Sequence, residues 1–382
     1  MEPVTAKPDA QPQGAESLPD GTKPIGTGRG QPKLRERKDG AAIPLDERDK
    51  QLLNLLQSSF PIDDAPFASV AAAMGAELDW VLTRTQELLD DRIIREITPI
   101  FDTRALGYES MLVAASVDPE NPHRAAKVIN EHPGVSHNYL RNHDFNLWFT
   151  IATPPDSMLG LEGTLEVLAR ESGATSVRQL PTLRLFKINM NLEMEKGTET
   201  LAAPGGENKE RPIAAIDLTP LDYAVIEHLQ GSLPVIENPY APAAEALGIS
   251  TQQLFDHCNS MIDRGLLRRV AGILFHRRAG FSANGMGVWK VPEDQIATIG
   301  PQMASFRGIS HCYQRPTYED WPYSVFTMAH GRSKEECDQI LDQIAEDTGI
   351  HERSTLYSST EFKKIRLRYF TPEYAEWEAR WL

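Results

Sequence analysis

This chain carries two copies of one long pattern. Val135-Ser136-His137-Asn138-Tyr139-Leu140-Arg141 returns as Ile309-Ser310-His311-Cys312-Tyr313-Gln314-Arg315. Upstream, Leu45 to Gly75 runs in register with Leu218 to Gly248, and Phe186-Lys187-Ile188 is echoed by Phe362-Lys363-Lys364-Ile365. Copies this long fold alike, so a pseudo-two-fold pair is expected, with a dimer-like interface inside one polypeptide. Differences between the copies then carry information. His276 stands where the first copy has Thr103, and His143 stands where the second has Thr317.

Each copy reads in two parts. In the first, Leu45, Leu52, Leu53, Leu55 and Leu56 give a helical face. A second helix covers Ser69 to Met74 and ends at Gly75; a third runs from Leu78 to Asp90 with Trp80, Val81, Leu88 and Leu89 inward. Ile93 to Ile97 then reads as a strand, which completes a winged helix-turn-helix. The copy occupies Leu221–Leu229, Ala241–Leu247, Thr251–Asp263 and Leu267–Ile273. The second part reads strand, helix, two strands, helix, strand: Tyr108–Val117, Pro122–Glu131, Val135–Arg141, Phe145–Ala152, Gly160–Ser172 and Val177–Ile188. That order predicts a ferredoxin-like βαββαβ sandwich, so the class is α+β. The expected divisions are a disordered tail over 1–40, winged helices over 41–104 and 213–277, ferredoxin-like domains over 105–194 and 278–382, and a linker over 195–212.

Composition narrows the function classes. The 382 residues carry a formal net charge of -15, which argues against a general nucleic-acid binder. Cys258, Cys312 and Cys337 form no CxxC pair and no disulfide framework, as suits a reducing cytoplasm. No apolar run has the length of a membrane span, and the first residues lack the apolar stretch of a secretory leader. A cytoplasmic protein without membrane contact is expected.

A winged helix followed by a ferredoxin-like domain resembles the leucine-responsive regulator (AsnC) architecture. Longer motifs point to one branch of it. The proline-bearing connection Phe60-Pro61-Ile62-Asp63-Asp64-Ala65-Pro66-Phe67 is copied as Leu233-Pro234-Val235-Ile236-Glu237-Asn238-Pro239-Tyr240. With His137 to Thr150, it is similar to the siroheme decarboxylases, the first half resembling the smaller-subunit type. The second half, with His311 to Tyr323 and His330-Gly331-Arg332, resembles the partner subunit. The resemblance spans residues 45 to about 370 and differs from the two-chain pattern in fusing both halves. It implies that two acetate carboxyl groups of siroheme are removed to give didecarboxysiroheme, a precursor of d1-type heme or of protoheme by an alternative route.

Siroheme carries eight carboxylates around an apolar disc, so an acidic protein must gather cations locally. Arg268-Arg269-Val270-Ala271-Gly272-Ile273-Leu274-Phe275-His276-Arg277-Arg278 does so, and arginine grips carboxylates with paired hydrogen bonds. A solvated strand edge is the structural alternative for that run, and equally for Lys363, Lys364, Arg366 and Arg368. Losing an acetate carboxyl leaves an electron pair on the methylene carbon, which needs a proton. Histidine, titrating near 6.5, suits that task. His276 and His143, lacking histidine twins, are the candidate proton donors. Arg141, Arg269, Arg277, Arg278, Arg315, His137, His311, Tyr313 and Trp321 are the candidate substrate ligands. His143 also fits a plain turn, and the repeated His137 and His311 also fit a structural bond across the pseudo-dimer. No organic cofactor or protein-bound metal is required, because the iron arrives with the substrate. Rival readings are a heme-sensing regulator and a non-catalytic tetrapyrrole carrier. Asp79, Glu87, Asp90 and Asp91 around Arg84, and Asp256 and Asp263 beside Arg264, disfavour the first, since a helix in the major groove needs positive charge. The expected partners are siroheme and its products, with the pseudo-dimer open to further self-association.

Overall fold

The computed structural model describes residues 45–188, 216–275 and 283–382. The expected tail over 1–40, the linker over 195–212, and His276, Arg277 and Arg278 lie outside them. The first half contains α1 (Glu47–Ser58), α2 (Pro66–Met74), α3 (Leu78–Asp90), β1 (Ile94–Phe101), β2 (Glu109–Ser116), α4 (Pro122–Asn130), β3 (Val135–Arg141), β4 (Leu147–Thr153), α5 (Gly160–Ser172), β5 (Ser176–Leu180) and β6 (Arg184–Ile188). The second contains α6 (Pro220–Leu229), α7 (Ala241–Leu247), α8 (Thr251–Asp263), β7 (Leu267–Leu274), β8 (Ala283–Trp289), α9 (Ile296–Ser305), β9 (Ile309–Gln314), β10 (Val325–Gly331), α10 (Lys334–Thr348), β11 (Arg353–Lys364) and α11 (Glu373–Glu378).

Local signals fix the wings. Asp46 and Asp49 cap the start of α1 reciprocally, and Thr219 and Asp222 do the same for α6. Such boxes satisfy N–H groups that the first helical turn leaves open. Helices α2 and α7 stop at Gly75 and Gly248, whose φ angles of 61° and 67° place them in the left-handed region that ends helices. α2 begins at Pro66, earlier than expected, because a first-turn proline loses no needed donor. The two wing strands pair with each other: Ile94 faces Leu274 and Phe101 faces Leu267. One core runs through both wings, with Leu52, Leu56, Phe67 and Val81 from one and Val225, Leu254, Phe255 and Met261 from the other. The long proline-bearing connections serve this union. Phe60 N–H donates to Val270 C=O and Leu233 N–H to Ile97 C=O, both at 2.7 Å.

Each half then builds a ferredoxin-like sheet, ordered β5-β2-β4-β3 and β11-β8-β10-β9. Helices α4 and α5 cover one face of the first sheet, Ile129 and Leu165 packing over Val113, Phe149 and Ile151. The opposite faces supply a further core shared by the halves, around Trp148, Trp321, Phe326, Leu180 and Leu356. Two segments cross over. β6 leaves its own half to pair with β9, and β11 pairs first with β8 and then with β3, giving a nine-stranded sheet. The segment Val177–Ile188, expected as one strand, is therefore two. Pro181 lacks the N–H that a continuing ladder needs, and Leu183 N–H turns to Gln314 C=O at 2.9 Å. No helix among the described residues is long and apolar enough to cross a membrane.

Candidate active site

Strand geometry sets the site out twice. His137, Tyr139 and Arg141 alternate along β3, so their side chains share one face; His311, Tyr313 and Arg315 do the same on β9. In each half the histidine ring lies along the tyrosine ring, with centroids 6.2 Å and 5.9 Å apart. The arginines complete the two ladders, 5.9 Å above Tyr139 and 5.0 Å above Tyr313. Each arginine then reaches into the other half. Arg141 Nη1 donates to Leu356 C=O at 3.0 Å, and Arg315 Nη1 donates to the matching Leu180 C=O. Both Nε atoms are shut from solvent and find no hydrogen-bond partner. Burial pulls both guanidinium groups down to about 10, so they stay charged at neutral pH.

One cavity of about 330 Å³ opens where four parts of the chain meet. Thr103 and Arg104 reach it from the loop after the first wing, His137, Thr150 and Ser110 from the first sheet, Arg315 from the second half, and Leu367 from the C-terminal segment. Its described wall holds two arginines and a histidine and no carboxylate. Ser136 Oγ sits 3.0 Å from His137 Nδ1 and 2.8 Å from Thr150 Oγ1, which fixes the imidazole in place. Burial, with Lys364 and Arg95 adding, pulls His137 down to about 4, so it is neutral at pH 7. An opposite charge beside the ring would act the other way, favouring the imidazolium.

The structure thus brings together His137 and Arg315 from the sequence-derived set. Arg141 tops the first ladder, and His311 and Tyr313 belong to the second, whose arginine is Arg315. His143 sits in a turn, its Nδ1 accepting the Phe145 N–H at 3.0 Å and its ring 5.1 Å from Trp321, away from the cavity wall. Burial lowers its pKa. Trp321 is fully buried against Trp148 and Tyr323, in the core, with its Nε1 unpartnered. Arg269 lies on β7 with its Nε buried and unpartnered, while its neighbour Arg268 pairs with Asp102 of the other half. The second basic run is structural at two points. Lys363 Nζ donates to Asn130 C=O at 2.7 Å, and Arg366 donates to Thr98 Oγ1 and Pro99 C=O. Arg104 was missed, although the repeat places it opposite Arg277. No group of three or more potential metal ligands occurs among the described residues.

The would-be DNA-reading helices spend their cations internally. Arg84 on α3 holds Asp49 at 2.6 and 2.8 Å. At the same position in the other wing, His257 on α8 holds Asp222 at 2.9 Å, and Arg264 adds two more bonds.

Comparison with known proteins agrees with this layout. Residues 105–187 and 278–363 match the AsnC-like ligand binding domain, and residues 49–95 and 222–268 match the siroheme decarboxylase NirDL-like HTH domain. A siroheme decarboxylase of Hydrogenobacter thermophilus is 38% identical over 331 residues, covering 87% of this chain and 97% of that protein. The siroheme decarboxylase beta subunit of Methanosarcina barkeri is 40% identical over 147 residues, covering 38% of this chain and 97% of the subunit. The crystal structure of the siroheme decarboxylase NirDL with an iron-uroporphyrin III analogue superposes with a TM-score of 0.70 at 33% identity, covering 87% of this chain and 98% of that one. The chain belongs to the siroheme decarboxylases, with both subunit-like halves on one polypeptide.

Proposed function

We propose that this protein removes two acetate carboxyl groups of siroheme, giving didecarboxysiroheme, and that the cavity beside His137 receives a substrate edge. The observation that carries the reading is a cavity wall with Arg104, Arg315 and His137 and no acid, in a protein of net charge -15. Such a wall attracts a polycarboxylate and repels cations. Its volume is at the low end of ligand pockets, so it takes one pyrrole edge with its acetate rather than the whole disc. The buried Nε of Arg315 gains a carboxylate oxygen as its missing partner.

The reaction needs one proton per carboxyl group. The bond from methylene to carboxylate breaks, carbon dioxide leaves, and the electron pair retained by the methylene takes a proton to become a methyl group. Apolar surroundings from Leu112, Ile151 and Leu367 favour loss of the carboxylate charge. His137, once charged by the arriving carboxylate, has the proton to give. No oxidant or protein-bound metal enters this balance. The ion pairs on α3 and α8 support a structural role for the wings, and no operator DNA complex is expected in a low-salt gel shift.

Anaerobic incubation with siroheme and mass analysis of the product tests the reading. Loss of two carbon dioxide units supports it; unchanged mass makes the protein a carrier. His137→Ala is expected to slow turnover about a hundred-fold. His276→Ala and His143→Ala test the sequence-derived donors: a comparable loss places either in the chemistry, and wild-type turnover removes it.

A further inference from the structure

The arginine that the first half gives to the cavity is held in place by the second half. Arg104 sits in a tight turn from Asp102 to Tyr108, just after the first wing. Its backbone is tied on both sides. The Arg104 N–H donates to Asp102 Oδ1 at 3.0 Å, and its C=O accepts the Gly107 N–H at 2.9 Å. Leu106 N–H donates to Asp102 C=O at 3.0 Å and Tyr108 N–H to Thr103 C=O at 3.1 Å, which closes the turn. Two side-chain tethers then fasten it from the other half. Arg268 on β7 donates to Asp102 Oδ2, its Nε at 2.9 Å. The Tyr369 hydroxyl, on the C-terminal segment after β11, shares a hydrogen bond of 2.8 Å with Thr103 Oγ1.

Tyr369 has little freedom of its own. It is 6% exposed, with its ring edge-on to Phe101 and Tyr108. Gln230, at the end of α6, grips its backbone twice: the Tyr369 N–H donates to Gln230 Oε1 at 2.7 Å, and Gln230 Nε2 donates to the Tyr369 C=O at 3.2 Å. Two residues earlier, Leu367 lies on the cavity wall with Thr103, Arg104 and Arg315. The hydroxyl therefore meets the turn from a fixed point beside the cavity. Arg104 itself is exposed, and a long side chain there takes its direction from the backbone beneath it. It stands close enough to Arg315 for the two like charges to oppose each other. Two cations on one described wall with no acid beside them favour a carboxylate that both can reach. We propose that Tyr369 is a positioning residue for substrate binding: through Thr103 it holds the Arg104 turn where Arg104 and Arg315 together take one carboxylated edge of the substrate. This rests on the decarboxylase reading and adds to it a residue off the cavity wall.

The test is a double-mutant cycle on siroheme affinity. The full chain is titrated with siroheme under anaerobic, reduced conditions and the absorbance of the tetrapyrrole is followed. Tyr369→Phe removes the hydroxyl and keeps the packed ring. It is expected to weaken binding roughly two- to ten-fold, the worth of one hydrogen bond. Arg104→Ala is expected to weaken it about ten-fold or more, the worth of a charge-assisted one. With Arg104 already replaced, Tyr369→Phe should cost nothing further, because the group it positions is gone. Wild-type affinity in either single variant overturns the proposal. So does an equal loss from Tyr369→Phe in both backgrounds, which would make the tyrosine a support of the fold alone. Should Tyr369→Phe fail to fold, Thr103→Val breaks the same bond from its other end, takes its place in the cycle, and is read by the same outcomes. Product mass is measured separately. A wild type that binds siroheme and leaves its mass unchanged overturns the decarboxylase reading while the cycle still decides for Tyr369; one that takes up no siroheme overturns both.

Discussion

Single residues show where this protein accepts unfavourable burial. Arg315 keeps its Nε shut from water and without a hydrogen-bond partner, which costs free energy. Arg315→Met is therefore expected to leave the unfolding temperature equal or higher, while siroheme affinity falls by about 1–3 kcal/mol, or roughly five- to 150-fold. Titration calorimetry beside thermal melts would check both halves of that expectation; a destabilised variant with wild-type affinity would make the arginine structural. His132 shows the opposite case, a buried histidine with no access to substrate. It is 1% exposed, packs against Trp377, and accepts the Gly134 N–H at 3.0 Å. Burial, helped by Lys363 and Arg380, holds it down to about 3. Below pH 6.5 the unfolded chain gains a proton that the native state refuses. The stabilisation is complete above pH 6.5 and drains away toward pH 3, at up to about 1.4 kcal/mol per unit. Melts across pH 3.5 to 7, flatter in His132→Phe, would show it. Chemistry at this scale was half legible: the repeated motif displayed His137 and Arg315, but nothing local said that the arginine of one copy meets the histidine of the other.

Elements were legible where local rules decide them. The boundaries of α3, α7, α8, β3 and α5 match their expected spans, because apolar spacing, capping residues and terminal glycines all act within a few neighbours. The wing helices also carry a graded anchor. Asp222 is fully buried and receives Arg264 twice, His257, and both the backbone and hydroxyl of Thr219. Burial alone pushes its carboxyl up, but Arg264 and Thr219 outweigh burial and hold it below the usual range. Asp49 has Arg84 and its own capping box. Asp222→Ala is expected to cost about 3 kcal/mol and Asp49→Ala less, by denaturant titration. Equal losses would mean that His257 and Arg264 add nothing to the cap. Where an element depends on a distant partner, local rules failed. The alternation from Val177 to Ile188 looks like one strand, yet Pro181 ends one ladder and the partner of the next lies in β9.

The whole molecule is two similar halves that cannot be pulled apart cleanly. β6 and β9 share a ladder, β11 spans β8 and β3, and β1 pairs with β7. At the far end, Glu378 accepts the Leu159 N–H at 3.2 Å and the Ser157 hydroxyl, so α11 of the second half caps α5 of the first. Each half produced alone would expose unpaired strands and is expected to aggregate. Produced together from a chain cut between residues 189 and 215, the halves should assemble one to one, as native mass spectrometry would show. Stable, separate monomers would refute the interlock. The repeat, read from sequence alone, determined the tandem winged-helix and ferredoxin-like plan and the family, because both are written in short-range spacing and in long repeated motifs. Only the tertiary structure decided which residues form the cavity. Packing of the two halves puts Arg315 on the wall of the cavity that His137 lines, and a pairing between distant segments leaves no trace in the periodicity of either.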